Sequence, residues 1–309
     1  MDMEDQGCTA GGNGGGLFAG LFACGCQPGD SPSLLADKYR EEAKLSPNSA
    51  VSHYNLGSTL QERGKVSEAI MCYLSAIALD PTYSEAHYNL GSAYQSMGDL
   101  KSALRSYQSC VKLVPGHAQA WYNLGYVMQD LGDVKGGIRS FKMAIKWDPV
   151  DVDSHLNLGN LYRGGGEPSK AVACYRRAIE CCGNSVMGHY NLGSAYQEMG
   201  MVEKSLGPLG RAVSLDPDYA DAHFNLGISF QELGRYGEAL TCYRNAYRAD
   251  PTFEEARGAM RGVEKAIKRG AKKGGTGDEG EEGGKENVRN GLNVGGRKEG
   301  REFGDPLRG

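Results

Sequence analysis

The chain has 309 residues, 40% of them apolar, with a formal net charge of −4. That length and apolar content allow a sizeable core, while the weak negative charge argues against a general nucleic-acid binder, which carries a clustered basic surface. Nine cysteines without zinc-like pairing, and acidic rather than basic residues ahead of the N-terminal apolar stretch, point to a reducing compartment, cytoplasmic or nuclear.

Residues 1–33 are rich in Gly and Cys. Gly11 to Gly16 lack the Lys-Ser/Thr of a phosphate loop and read as a linker. The stretch Leu17 to Cys26 is too short for a membrane span, which needs roughly 20 apolar residues. Two expectations stand for it: a disordered or docking segment, and a membrane tether through S-acylation of Cys24 and Cys26. Residues 34–46 pattern as a helix that caps the front of the region after it, with Tyr39 standing where Tyr73 stands later.

From 47 to 250 the chain repeats itself. Asn-Leu-Gly recurs at Asn55, Asn89, Asn123, Asn157, Asn191 and Asn225 with a strict period of 34 residues. A fixed period without insertion means one structural unit stacked on itself. In the second unit, Glu85 to Tyr94 shows apolar residues at helical spacing, Gly98-Asp99 breaks it, and Leu100 to Leu113 resumes it. Each unit therefore reads as a helix, a tight turn and an antiparallel helix. Gly91 and Ala103, with small counterparts in the other units, let the two helices approach closely beside Tyr107. Gly64, Gly98, Gly132, Gly166, Gly200 and Gly234 are expected to end the first helices in a left-handed conformation.

The fifth unit departs from the pattern. Gly207-Pro208 and Gly210 fall inside its second helix, and an interior proline costs about 3 kcal/mol, so this unit is expected to be the softest and a hinge. Residues 251–269 pattern as one more first helix in which Arg261 replaces the packing glycine, as suits a cap. The tail 270–309 is glycine-rich with mixed charge and too poor in apolar residues to fold.

The period, the Leu-Gly pair, the Gly-Asp turn, the small residue before the aromatic and the closing Asp-Pro of Asp80-Pro81 and Asp148-Pro149 resemble tetratricopeptide repeats. The resemblance implies an all-α fold: a right-handed superhelical solenoid of six 34-residue units with a capping helix at each end. It also implies that the six asparagines look inward from the first helices. Asparagine at that place is similar to the repeat arm of O-linked N-acetylglucosamine transferases and their SPINDLY relatives. The residues after 269 are too few for that family's catalytic region, so the expectation is the arm without the enzyme.

Two readings of the asparagines stay open. An amide offers one acceptor and two donors and can pair with a passing peptide backbone; equally, it can brace neighbouring repeats. On the first reading the ladder Asn55, Asn89, Asn123, Asn157, Asn191 and Asn225, with Tyr88, Tyr122, Gln95 and Gln129 beside it, binds an extended protein segment, Ser/Thr-rich or mildly basic. Six asparagines spaced roughly 10 Å apart would track on the order of 15 extended residues. Lysine and arginine do not fill these inner positions, which argues against a clamp for peptide carboxylates. Three functions follow: a non-catalytic interaction scaffold, a substrate-targeting arm for a separately encoded transferase, and an assembly subunit using its outer helices.

Neither a catalytic constellation, a cofactor nor a metal is expected. His53, His87, His155, His189 and His223 share the repeat period, which sets them roughly 10 Å apart, too far to share a metal through ~2 Å bonds. They are expected to pack between the two helices of each unit. Cys72, Cys174 and Cys242 recur beside the core aromatic and read as small core residues.

Overall fold

The computed structural model describes residues 32–274, with side chains from Leu35 to Arg269. The Gly/Cys-rich segment with Cys24 and Cys26, and the tail beyond Gly274, lie outside the described residues.

Every described element is a helix. Helix α1 (Pro32–Leu45) is followed by six pairs: α2 (Ala50–Glu62) with α3 (Val66–Leu79), α4 (Ser84–Ser96) with α5 (Leu100–Leu113), and α6 (Ala118–Asp130) with α7 (Val134–Trp147). Then come α8 (Val152–Gly164) with α9 (Pro168–Cys181), α10 (Val186–Glu198) with α11 (Val202–Leu215), and α12 (Ala220–Glu232) with α13 (Tyr236–Ala249). Helix α14 (Glu254–Gly274) closes the series and extends past residue 269. The architecture is an all-α helical-repeat solenoid. The chain falls into two compact units, one holding α1 to α11 and ending at Pro217, the other holding α12 to α14.

Within a repeat the close approach is a ring on a glycine. A Cβ at Gly91 would lie 2.7 Å from the Tyr107 ring, which is itself fully buried. The same glycine–ring pair is Gly57 on Tyr73 and Gly159 on Tyr175. Truncating such a buried ring costs about 3–5 kcal/mol, so these pairs carry much of each repeat's stability. The turn glycines have φ between 69° and 80°, a region closed to most side chains, so the reversal at Gly98 and its counterparts is fixed locally.

Two second helices, α5 and α7, start on aspartate caps: Asp99 accepts the Ser102 N–H at 3.1 Å and Asp133 the Gly136 N–H at 2.8 Å. At the repeat junction Asp80 accepts both the N–H and the hydroxyl of Thr82, which holds its carboxyl below the usual carboxylate range. This bonding gives the Asp-Pro junction a structural role.

In the first compact unit α3, α5, α7 and α9 each pack on the next first helix. First helices also meet one another directly, α2 with α4 and α8 with α10. Elements that converge lie on the inside of a curved stack, so α2, α4, α6, α8 and α10 form the inner face and the second helices the outer one. Helix α1 packs on the front of the array, with Tyr39 buried in one cluster with Leu56 and Leu60. In the second unit, Phe253, Ala256 and Val263 bury α14 against α13. Among the described residues no helix is long and apolar enough to cross a membrane.

Candidate functional site

Asn89, Asn123 and Asn157 lie on first helices of the leading unit, and their amide nitrogens are engaged. Asn89 Nδ2 donates to the Tyr54 hydroxyl at 3.0 Å, and Asn157 Nδ2 donates to Tyr122 at 3.3 Å. Asn123 Nδ2 reaches Tyr88 at 3.3 Å and Tyr107 at 3.2 Å. In each case the tyrosine of the inner helix belongs to the preceding repeat, 35 residues earlier. These amides therefore brace repeat to repeat, which compensates the poor helix propensity of asparagine. Asn89, Asn123 and Asn157 are half-buried, and Oδ1 of Asn89 and of Asn157 accepts no hydrogen bond from the described residues.

Asn191 stands apart. Leu156 occupies the place of the preceding tyrosine, so the amide turns to Asn160 Oδ1 at 3.4 Å and is only 3% exposed. A buried amide of this kind offers little to a ligand. Asn55 and Asn225 are half-buried, the latter in the second compact unit.

The glutamines hold the core tyrosines. Tyr107 donates its hydroxyl to Gln95 Oε1 at 2.9 Å, as Tyr73 does to Gln61. Where Arg163 replaces the glutamine, Tyr175 donates instead to Asn160 at 2.7 Å. In the third repeat the ring is Phe141, which has no hydroxyl, and Gln129 Oε1 is buried without a partner. Aromatic residues at the repeat junctions extend the network. Tyr83 packs on Tyr54 with centroids 4.9 Å apart, and His117 stacks on Tyr88 at 4.8 Å. Tyr88 and Tyr122 thus accept from asparagines of the next repeat and Gln95 accepts from Tyr107, so these three have posts in the array.

The face is acidic. Its five first helices carry Glu62, Glu85, Asp130, Asp153 and Glu198 against one arginine, Arg163, which lies 3.7 Å from Glu198. The side chains of Glu62, Asp130 and Asp153 reach water. Surrounding protein nevertheless raises their carboxyl pKa, with Asp151 adding to the effect at Asp153. Contact with water combined with desolvation from the sides is what a concave surface imposes on a charge.

The histidines have a role that their spacing did not show: the rings of His53, His87, His155 and His189 reach the backbone at the junction before them. His53 Nε2 lies 3.0 Å from the Pro47 carbonyl, and His87 and His155 are each 3.1 Å from those of Pro81 and Pro149. Trp121 donates its indole N–H to the Pro115 carbonyl at 2.8 Å. A ring N–H at this reach is the common property, which is why Trp121 substitutes for histidine. His189 reaches Gly183 in the same way at 3.0 Å, so the junction needs the carbonyl rather than the proline. Among the described residues no group of three or more His, Cys, Asp or Glu could hold a metal ion.

The pairing of a ring-on-glycine repeat with a 34-residue period is matched by models of one family. Two models described as tetratricopeptide repeat match residues 84–117 with 220–253, and 118–151; a third, described as TPR repeat, matches 59–98 and 159–200. The chain is a tetratricopeptide-repeat protein. Solved structures with this fold include YrrB, described as a TPR protein with an unusual peptide-binding site. It is 23% identical, with a TM-score of 0.55 over 61% of this chain and 97% of that one. MamA is 24% identical, with a TM-score of 0.52 over 55% of this chain and 93% of that one. The Cut9–Hcn1 hetero-tetramer of the APC/C is 17% identical, with a TM-score of 0.53 over 75% of this chain and 45% of that one. No curated protein matched. These likenesses establish the tetratricopeptide fold, and the inner-face chemistry is this chain's own.

Proposed function

We propose that this tetratricopeptide protein is a non-catalytic scaffold whose inner face holds an extended, basic segment of a partner protein. The supporting observation is the orientation of the asparagines. With one Nδ2 proton tied to the preceding repeat's tyrosine, Asn89 and Asn157 hold their amides in a fixed orientation and keep Oδ1 as an acceptor beside one remaining N–H. Five carboxylates on the same helices add acceptors and negative charge. Such a surface suits backbone N–H groups and lysine or arginine side chains. The peptide-binding site described for YrrB, a protein of the same fold, favours a peptide as the ligand. The cysteines within the described residues are free thiols, which suits a reducing compartment, cytoplasmic or nuclear.

The test is fluorescence anisotropy of a labelled, unstructured Ser/Lys-rich peptide against two double variants. Asn89→Ala with Asn157→Ala removes the acceptors and should weaken binding about tenfold. Asn89→Asp with Asn157→Asp keeps an acceptor within reach of each tyrosine hydroxyl and should bind as tightly or more tightly. Equal affinity for all three proteins would remove the groove from consideration.

A further inference from the structure

The outer face of the first compact unit carries a second, oppositely charged surface. Helices α5 and α7 contain Lys101, Arg105, Lys112, Lys135, Arg139, Lys142 and Lys146 and no acidic residue. All seven are exposed, and among the described residues none pairs with a carboxylate. Lys142 and Lys146 lie instead over the rings of Tyr162 and Trp147, and Arg105 donates to Ser102.

Between α5 and α7 lies a cleft of about 430 Å³. Its apolar lining includes Val111, Leu124, Met128 and Met143, and Lys112 and Arg139 also border it. It opens there because successive second helices diverge on the outside of the stack, and because Gly136 stands where other repeats have Glu68, Ser102, Lys170, Lys204 or Glu238.

The same cleft at the front of the array supplies a contrast. Between α1 and α3 it measures about 330 Å³ and is bordered by Arg40 and Lys44. Those cations are neutralised by neighbours: Arg40 pairs with Asp37 at 2.9 Å and Glu68 at 3.8 Å, and Lys44 with Glu41 at 2.6 Å. In the third repeat the cleft persists while its counter-charges are missing.

We propose that the α5–α7 surface docks an acidic amphipathic segment of a partner protein. One aliphatic or aromatic side chain would enter the cleft, and flanking carboxylates would pair with Lys112, Arg139 and their neighbours. The apolar cleft selects this occupant over a nucleic acid, whose backbone supplies phosphate and sugar but no side chain to fill the cavity. It follows that one array can engage two partners of opposite charge, one on each face.

The experiment uses the full chain and a short fluorescein-labelled peptide with one leucine between runs of glutamate, read by anisotropy at low salt. Binding should weaken about tenfold in the Lys112→Glu, Arg139→Glu double variant, and again by about tenfold when the peptide leucine is replaced by serine. Both substituted residues are exposed and lack carboxylate partners, so the circular dichroism should match that of the unaltered chain.

Equal binding by the double variant overturns the proposal, as does indifference to the leucine. Tighter binding of an oligothymidylate of matching charge assigns the surface to nucleic acid instead. A salt-sensitive dimer in sedimentation, abolished by the same substitutions, assigns it to a second copy of the chain. The basic peptide of the inner face should bind the double variant unchanged, so either reading can fail without the other.

Discussion

Phe141 differs from its tyrosine counterparts by one hydroxyl, and the consequence is found on the opposite helix. Gln129 Oε1 is buried without a donor, whereas Gln61 and Gln95 each accept from a tyrosine at 2.9 Å. Phe141→Tyr should supply the missing donor and gain about 0.5–1.5 kcal/mol, read as a shift of the urea midpoint. An unchanged or lowered midpoint would mean that the orphaned oxygen costs nothing. His117 is also informative. Burial, opposed by the charge of Glu85, holds its pKa below the ordinary 6.5, and its Nδ1 accepts the Ala120 N–H at 3.2 Å. The unfolded chain therefore binds the proton more readily than the folded one. This contribution to stability is fully present above pH 6.5 and falls as pH drops below it. His117→Ser keeps a cap of the kind Ser49 and Ser185 provide, and should flatten the melting temperature over that range.

At the scale of elements, α11 is the unusual helix. It stays continuous from Val202 to Leu215 although Pro208 lies inside it, between Gly207 and Gly210. Proline removes one helical hydrogen bond, and glycine adds conformational freedom to the unfolded chain. The boundary between the two compact units falls just after this helix, at Pro217–Asp218. Hydrogen exchange should therefore be faster across α11 than across α9, and Pro208→Ala should slow it. Equal protection of the two helices would show that packing around Leu209, which is fully buried, outweighs the broken backbone pattern.

At the scale of the molecule, charge is unevenly placed. First helices of the leading unit carry five carboxylates against one arginine, while the second helices α5 and α7 carry only cations. A net charge of −4 averages over these two surfaces and conceals both. A weak net charge thus says little about binding when a solenoid exposes two long faces, since only charges within a Debye length of about 8–10 Å act together on a ligand. The inner groove and the outer surface are consequences of one packing rule: first helices converge, second helices diverge.

The sequence by itself determined the repeat. Its period, the glycine that admits a ring, the positive-φ turn glycines and the Asp-Pro junctions all act within one repeat or its junction, where spacing along the chain sets spacing in space. Only the tertiary structure decided what the asparagines do with their amide protons, because the tyrosine that accepts them lies 35 residues away and across a repeat interface. It also decided that histidine rings hold junction carbonyls and that Asn191 turns inward where Leu156 offers no hydroxyl. The cleft between α5 and α7 was equally hidden, since it is the space left by diverging helices and no residue pattern encodes a gap.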